Sequence, residues 1–198
     1  RLNNSETESE LWPGAPVPTF GCRTSLAHWL DMHQSKSVTH TFHARTYPLR
    51  VDARADALAA LPMELQRAGA SRALIVCGRS VHERTDLTQR IGTLAGGRVA
   101  GIYSRISEGA PAESIEEAAA KAREVGADAL IAVGAGSVIK GARVVAMLLG
   151  ENRPLVEMAT VHRDDAPAVS QRLEAPKMPI FNVLTSPSSA QNRGGSAV

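Results

Sequence analysis

The sequence is poor in aromatic residues and cysteine, and it has no long apolar run. Aromatic residues make up 4% of the 198 residues and hydrophobic residues 43%, so Ala, Val, Leu and Ile must supply most of the core, as they commonly do in helix-covered parallel sheets. The two cysteines, Cys22 and Cys77, lie far apart, which argues against a disulfide framework. Cys77 ends an apolar run and is expected to be a buried thiol. No run approaches the roughly 18 apolar residues of a membrane span, and no signal-peptide core is present. Together these features favour a cytoplasmic protein that does not bind membranes.

The sequence also lacks an excess of charge of either sign. Its 22 Lys and Arg residues are interspersed with 20 Asp and Glu residues, for a formal net charge of +2. No basic run with interleaved aromatic residues is present, so the sequence argues against a nucleic-acid partner.

The length suggests one domain and an appendage. Residues 1–38 are polar and interrupted by three prolines, and we expect a flexible or loosely packed leader outside the fold. The folded domain is placed at residues 39–198. In the alternative, the leader clamps onto the domain or a partner through its aromatic residues, Trp12, Phe20 and Trp29.

The first part of the domain, residues 39–52, alternates loosely between apolar and polar residues and predicts an extended edge segment or a hairpin. His40 and His43 fall in it. Because they are three residues apart in a predicted strand, they face opposite sides, which argues against a shared metal site.

Strand and helix patterns then alternate. Short apolar runs predict four strands: Ala73–Cys77, Arg98–Tyr103, Ala129–Val133 and Pro179–Leu184. Helical patterns lie at Asp56–Ala68, Glu83–Leu94, Ser114–Val125 and Ser137–Leu149. Ser114 and Glu117 have the spacing of a capping box, and Gly126 stands at the expected stop. This order predicts an α/β fold, a Rossmann-like parallel sheet flanked by helices.

Ligands of such sheets bind beyond the carboxyl ends of the strands. The loops at those ends are Gly78–His82, Ser104–Ala110, Gly134–Ser137 and Thr185–Ser189. Among them, Gly134, Ala135, Gly136 and Ser137 run directly from a predicted buried strand into a helix. Small residues let the backbone approach a phosphate, and the first helical N–H groups point at the anion.

Two loops keep alternative interpretations. The two glycines of Gly134–Ser137 can simply make a tight turn, and Ser137 can cap the helix or donate its hydroxyl. The loop TSPSSAQNRGG, from Thr185, can line a cleft or be an ordinary solvated loop.

Three segments together resemble the iron-containing alcohol dehydrogenases, whose superfamily includes maleylacetate reductases and, more distantly, dehydroquinate synthases. These segments are RADALAALPMELQRAGASRALIV, GADALIAVGAGSVIKGARVVAML and PIFNVLTSPSSA. The resemblance covers about residues 40–198 and implies that this region is a dinucleotide-binding domain.

The resemblance implies a set of NAD or NADP contacts. In the family a GGGS-type loop and a following Asp bind the pyrophosphate and the nicotinamide side, and a Thr-Thr pair after the next strand adds contacts. The matching positions here are Gly134, Ala135, Gly136, Ser137, Lys140, Thr185 and Ser186, with Ser189 as a further hydroxyl.

Three positions depart from the family pattern. Ala135 adds a methyl group to the turn, which is tolerated where the backbone needs no positive φ. Lys140 reverses the charge of the family Asp, so that it either pairs with a phosphate or marks a weakened cofactor site. Gly78 stands where many relatives have an Asp that would repel a 2′-phosphate, and Arg79 follows it, so the site is permissive toward NADP. Alternatively, Arg79 is an ordinary solvated charge.

Family members hold a divalent metal, iron or zinc, through an Asp and three His of a helical C-terminal domain. The sequence ends at Val198, before such a domain would begin, and its histidines lack the spacing of paired ligands on a helix. We therefore expect no metal site in this chain, and impaired hydride transfer by the chain alone. No catalytic acid or base is predicted.

The leading hypothesis is the NAD(P)-binding portion of a metal-dependent alcohol dehydrogenase or maleylacetate-type reductase. The alternatives are a non-catalytic nucleotide-binding or interaction module and a dehydroquinate synthase-like enzyme. A small dinucleotide is the expected partner, and a homodimer stays open.

Overall fold

The computed structural model describes residues 49–192. The predicted leader, residues 1–38, lies outside them, and so does most of the predicted edge segment, including His40 and His43. The last residues of that segment, 49–52, form no strand.

Strands and helices alternate along the described chain, and the four predicted strands are confirmed to within one residue at either end. The strands are β1 Ala73–Cys77, β2 Val99–Tyr103, β3 Ala129–Gly134, β4 Val161–Arg163, β5 Ala166–Val169 and β6 Ile180–Leu184. The helices are α1 Leu61–Arg67, α2 Arg79–Arg84, α3 Leu87–Leu94, α4 Ala112–Glu124, α5 Gly136–Glu151 and α6 Leu155–Met158, with 3₁₀ turns at Ala57–Ala60 and Ser189–Asn192.

Four strands form one parallel sheet in the order β2-β1-β3-β6. Two central strands, β1 and β3, are buried along their whole length, whereas β6 is only partly buried. The prediction of a Rossmann-like parallel sheet flanked by helices is confirmed. Strands β4 and β5 form a separate antiparallel hairpin, which the sequence did not predict.

The core lies on both faces of the sheet. Leu74 and Leu130 point to one face, where they pack with Ile115 of α4 and Val145 of α5. Their neighbours along β1 and β3 point to the other face, toward α1 and α3, and this second group includes Ala73, Ile75, Ala129, Ile131, Leu65 and Ile91. The continuous apolar runs of β1 and β3 follow from this burial on two sides.

The helix predicted at Glu83–Leu94 is wrong in its extent. The chain forms two helices, α2 and α3, separated at Thr85 and Asp86. The Thr85 hydroxyl donates to the Val81 carbonyl at 2.6 Å and accepts from the Leu87 N–H at 3.3 Å. One side chain therefore satisfies the end of α2 and the start of α3.

The capping box predicted at Ser114 and Glu117 is also wrong. Helix α4 begins earlier, with Pro111 at the N-cap position, and the Ser114 hydroxyl donates to the Pro111 carbonyl at 2.8 Å. The predicted stop at Gly126 is confirmed, because Gly126 has φ +59° directly after the C-cap residue. Within residues 49–192, no helix is long and apolar enough to span a membrane.

Candidate functional site

The sheet order places a crevice at the carboxyl ends of its two central strands. From β1 the chain crosses to β2 on one side, and from β3 it crosses to β6 on the other. Connections that diverge in this way leave the open position between β1 and β3, where ligands of such folds bind. Gly78 follows β1 and Gly134 ends β3. The predicted glycine loop therefore lies at this crevice.

The turn from β3 into α5 requires glycine at its first position. A Cβ atom on Gly134 would lie 2.7 Å from Cγ2 of Val138, closer than packed carbon atoms approach. Ala135 occupies the N-cap position with φ −103° and ψ −159°. Because this is ordinary extended backbone, its methyl group causes no strain. The condition expected for alanine at this position, a backbone without positive φ, is met.

No side chain caps the N-terminus of α5. Among the first four N–H groups of α5, that of Ile139 donates to a main-chain acceptor, the Ala135 carbonyl, at 3.1 Å. The N–H groups of Gly136, Ser137 and Val138 precede it at the positive end of a 16-residue helix. Such a terminus suits an anion bound at the crevice.

Ser137 links this turn to the loop that follows β2. The two alternatives for Ser137 were a cap or a hydroxyl donor, but the structure gives its oxygen a third role. Its Oγ accepts a hydrogen bond from the Gly109 N–H at 3.1 Å. The same loop is fixed to β1, because the Ile106 N–H donates to the Cys77 carbonyl at 3.1 Å. These hydrogen bonds therefore join the end of β1, the β2–α4 loop and the start of α5 at the crevice.

Tight packing also holds the β2–α4 loop against α5. Ala110 is 1% exposed and adopts a left-handed conformation, with φ 54°. A Cβ added to Gly141 of α5 would lie 3.4 Å from the Ala110 Cβ and 3.5 Å from Cδ1 of Ile106. Glycine in α5 therefore lets the loop approach the helix closely.

A cleft of about 340 Å³ lies between this loop and the start of α5. Gly136, Ser137 and Lys140 line one wall, and Ser107 and Glu108 line the other. Lys140 and Glu108 form no ion pair with any residue in the described part of the chain. The sequence placed the β2–α4 loop at the ligand-binding edge but did not single out Ser107 or Glu108, although their position after a strand was a signal.

A larger cleft, of about 560 Å³, lies elsewhere, between the end of β2 and α4. Its polar groups satisfy one another. The Tyr103 hydroxyl donates to Glu117 at 2.9 Å, Arg105 pairs with Glu117 at 3.0 Å, and Lys121 pairs with Glu124 at 2.8 Å. Since these charges are already paired, we place the candidate site at the smaller cleft, where Lys140 and Glu108 have no ion-pair partner among the described residues.

The loop after β6 approaches the glycine turn from the opposite side. The Thr185 N–H donates to the Gly134 carbonyl at 3.2 Å, and a Cβ on Gly136 would lie 3.4 Å from the Ser188 Oγ. Ser186 and Ser189 are exposed in the same loop. The structure therefore brings the predicted Thr185 beside the glycine turn, and it adds Ser188, which the sequence had not singled out.

The other predicted positions lie at the end of β1. Gly78 is the N-cap residue of α2, and Arg79 is its first residue. The Arg79 side chain is 71% exposed and lies 3.8 Å from Glu83. A Cβ on Gly78 would lie 3.1 Å from the Ile106 carbonyl, so the close β2–α4 loop is one reason for glycine here.

Cys77, the last residue of β1, is fully buried. Burial raises the pKa of its thiol to about 11, because a thiolate would lose its solvation there. The prediction of a buried thiol is confirmed.

The sequence profile of iron-containing alcohol dehydrogenases matches residues 48–198. The chain belongs to this family. Maleylacetate reductase 2 of Cupriavidus pinatubonensis is 37% identical over 106 residues, a match that covers 54% of this chain and 29% of that relative. The chain thus spans less than a third of the length of this relative.

Solved structures show the same fold. Maleylacetate reductase from Agrobacterium tumefaciens has a TM-score of 0.52 at 19% identity, over 72% of this chain and 43% of that one. NADH-dependent butanol dehydrogenase A from Thermotoga maritima has a TM-score of 0.62 at 18% identity, over 73% of this chain and 34% of that one. At these identities the likeness concerns the fold alone.

Metal binding is a property expected of this family. Residues 49–192 contain no group of three or more His, Cys, Asp or Glu residues that could hold a metal ion. That no metal site lies anywhere in this chain stays a prediction.

Proposed function

We propose that this member of the iron-containing alcohol dehydrogenase family is the NAD(P)-binding portion of a metal-dependent alcohol dehydrogenase or maleylacetate-type reductase. The observation that carries the proposal is the uncapped N-terminus of α5, which opens at the crevice between β1 and β3. The family membership and the dinucleotide named for one structural relative support it.

The residues of the glycine turn fit a pyrophosphate. The N–H groups of Gly136, Ser137 and Val138 would donate to its oxygens, and the glycine at 136 leaves the backbone accessible. Thr185 and the exposed Ser186 and Ser189 would add contacts from the β6 side. The bound nicotinamide would supply or accept hydride, and these residues would hold it in place.

The β1 end of the site suits NADP as well as NAD. Gly78 offers no carboxylate that would repel a 2′-phosphate, and the exposed Arg79 has only a long contact to Glu83. We expect Arg79→Gln to weaken NADPH binding more than NADH binding. Equal effects on both dinucleotides would mean that Arg79 is an ordinary solvated charge.

Lys140 favours a second candidate, a nucleotide-binding module without catalysis, because it reverses the charge of the family Asp. Isothermal titration of the full 198-residue chain with NADH and NADPH tests both. A folded sample that binds neither dinucleotide would contradict the cofactor role. If Lys140→Asp brings no gain in dinucleotide affinity, the result favours the second candidate, whereas a gain favours the first.

A further inference from the structure

The charges of the cleft beside the glycine turn are arranged for a polar group rather than an adenine ring. Lys140 lies on the α5 wall and Glu108 on the opposite wall, and neither has an ion-pair partner among residues 49–192. Both are thus available to a ligand. The floor residues Ile106 and Val138 are buried, so the polar contacts of a ligand must come mainly from the walls.

The nicotinamide carboxamide has the matching chemistry. It carries an NH₂ donor and a carbonyl acceptor. Glu108 supplies an acceptor, and Lys140 supplies a donor that cannot accept. Lys140 is four residues beyond Gly136, about one helical turn, or roughly 6 Å along the axis. A nicotinamide nucleoside whose pyrophosphate lies at Gly136 can therefore reach this cleft.

The proposed function, through the family resemblance at Lys140, puts the nicotinamide half in this cleft, and we propose that Lys140 makes the site bind the reduced dinucleotide more tightly than the oxidised one. This inference rests on the proposed function. The oxidised ring carries a positive charge that the reduced ring lacks, whereas the pyrophosphate is the same in both. A lysine ammonium beside the ring repels only the oxidised form.

Glu108 acts in the opposite direction, since its carboxylate attracts the oxidised ring. Lys140 has the larger effect because it is partly buried, whereas Glu108 is exposed and better screened. With both dinucleotides at equal concentration, the site would hold mainly the reduced form, which is the form that delivers hydride to a carbonyl.

The test is the ratio of dissociation constants for the oxidised and reduced forms, measured on the full chain with NAD⁺ and NADH and with NADP⁺ and NADPH. This ratio does not depend on the fraction of folded protein. The variants are Lys140→Gln and Glu108→Gln. Lys121→Gln, which removes a lysine of the other cleft, is the matched control.

We expect the native chain to favour the reduced form, and Lys140→Gln to lower that preference about threefold to tenfold. Glu108→Gln should raise it, and Lys121→Gln should leave it unchanged. A native preference for the oxidised form would overturn the inference, and so would equal losses for both forms in Lys140→Gln. Either result would leave the proposed function intact, whereas binding of none of the four dinucleotides would overturn both.

Discussion

The two ends of strand β3 differ in the hydrogen bonding of their polar groups. At the amino end, the Asp128 carboxylate accepts hydrogen bonds from the Ser71 N–H, the Ser71 hydroxyl and the Arg72 N–H, at 2.7 to 2.9 Å. The Arg72 guanidinium donates to the Val125 carbonyl, near the end of α4. At the carboxyl end, no side chain caps α5, and small residues surround its first N–H groups.

The difference separates groups that stabilise the fold from groups that are free to bind a ligand. Burial works to raise the pKa of Asp128, but the hydrogen bonds from Ser71 and Arg72 hold it below its usual value. This carboxylate is therefore stabilised in the folded state. The N-terminus of α5 has no comparable acceptor from a side chain. We therefore expect substitutions at the amino end to change stability, and those at the carboxyl end to change dinucleotide affinity as well.

The largest effect is expected for Gly134→Ala. The new methyl group would lie 2.7 Å from Val138, so the first turn of α5 must move. We expect a loss of about 1–3 kcal/mol in the free energy of unfolding and loss of measurable NADH binding. Urea unfolding and titration calorimetry would measure the two effects. The control is Gly92→Ala in α3, where a Cβ meets no atom within 4 Å; unchanged NADH binding in Gly134→Ala would break the comparison.

Asp128→Ala should cost about 1–2 kcal/mol of stability, because it leaves the N–H groups of Ser71 and Arg72 without their acceptor. Dinucleotide affinity of the folded protein should stay the same. Urea unfolding with and without NADH separates the two quantities. A large fall in affinity without a fall in stability would mean that the two ends of β3 are not separate in function.

Ser137→Ala removes the acceptor of the Gly109 N–H and should cost about 1 kcal/mol. We also expect the affinity for NADH to fall, because the β2–α4 loop is less firmly held against α5. Ser71→Ala is the matched control, since it removes a hydroxyl that donates to Asp128 at the amino end of β3, opposite the crevice. Equal effects of the two substitutions on NADH binding would argue against a positioning role for Ser137.

The smallest effect near neutral pH concerns Tyr103, because its titration changes stability only under alkaline conditions. Burial, with the hydrogen bond to Glu117, raises the pKa of Tyr103 from 10.0 to about 12. The folded state therefore keeps this proton after the unfolded state has lost it. Its contribution is complete below pH 10 and is lost between pH 10 and about 12, with roughly 1 kcal/mol lost near pH 10.5. In Tyr103→Phe, stability should fall less steeply over this range; an unchanged slope in urea midpoints would contradict the assignment.

Much of the sheet could be predicted because its strands are buried on both faces, so Ala73–Cys77 and Ala129–Gly134 stand out as continuous apolar runs. The break at Thr85 could not, because it depends on one hydroxyl that bonds in two directions, without a glycine or proline to mark it. The position of Pro111 decided where α4 begins, against the pattern at Ser114. Hairpin β4–β5 is short and its strand β5 is exposed throughout, so it left no periodic signal.

The candidate site was predictable where a loop follows a buried strand, as at Gly134 and Thr185. The other wall of the cleft was not predictable, because the packing of Ile106 and Ala110 against α5 helps to bring Glu108 to the cleft. The bond between Gly109 and Ser137 likewise joins residues 28 positions apart.

The most direct test is residue-resolved amide NMR of the full chain, with and without NADH. We predict shift changes and slower hydrogen exchange at Gly136, Ser137 and Val138, and none at Ser71 and Arg72. NADH binding that leaves the three α5 amides unchanged would contradict the central claim that the uncapped end of α5 receives the dinucleotide.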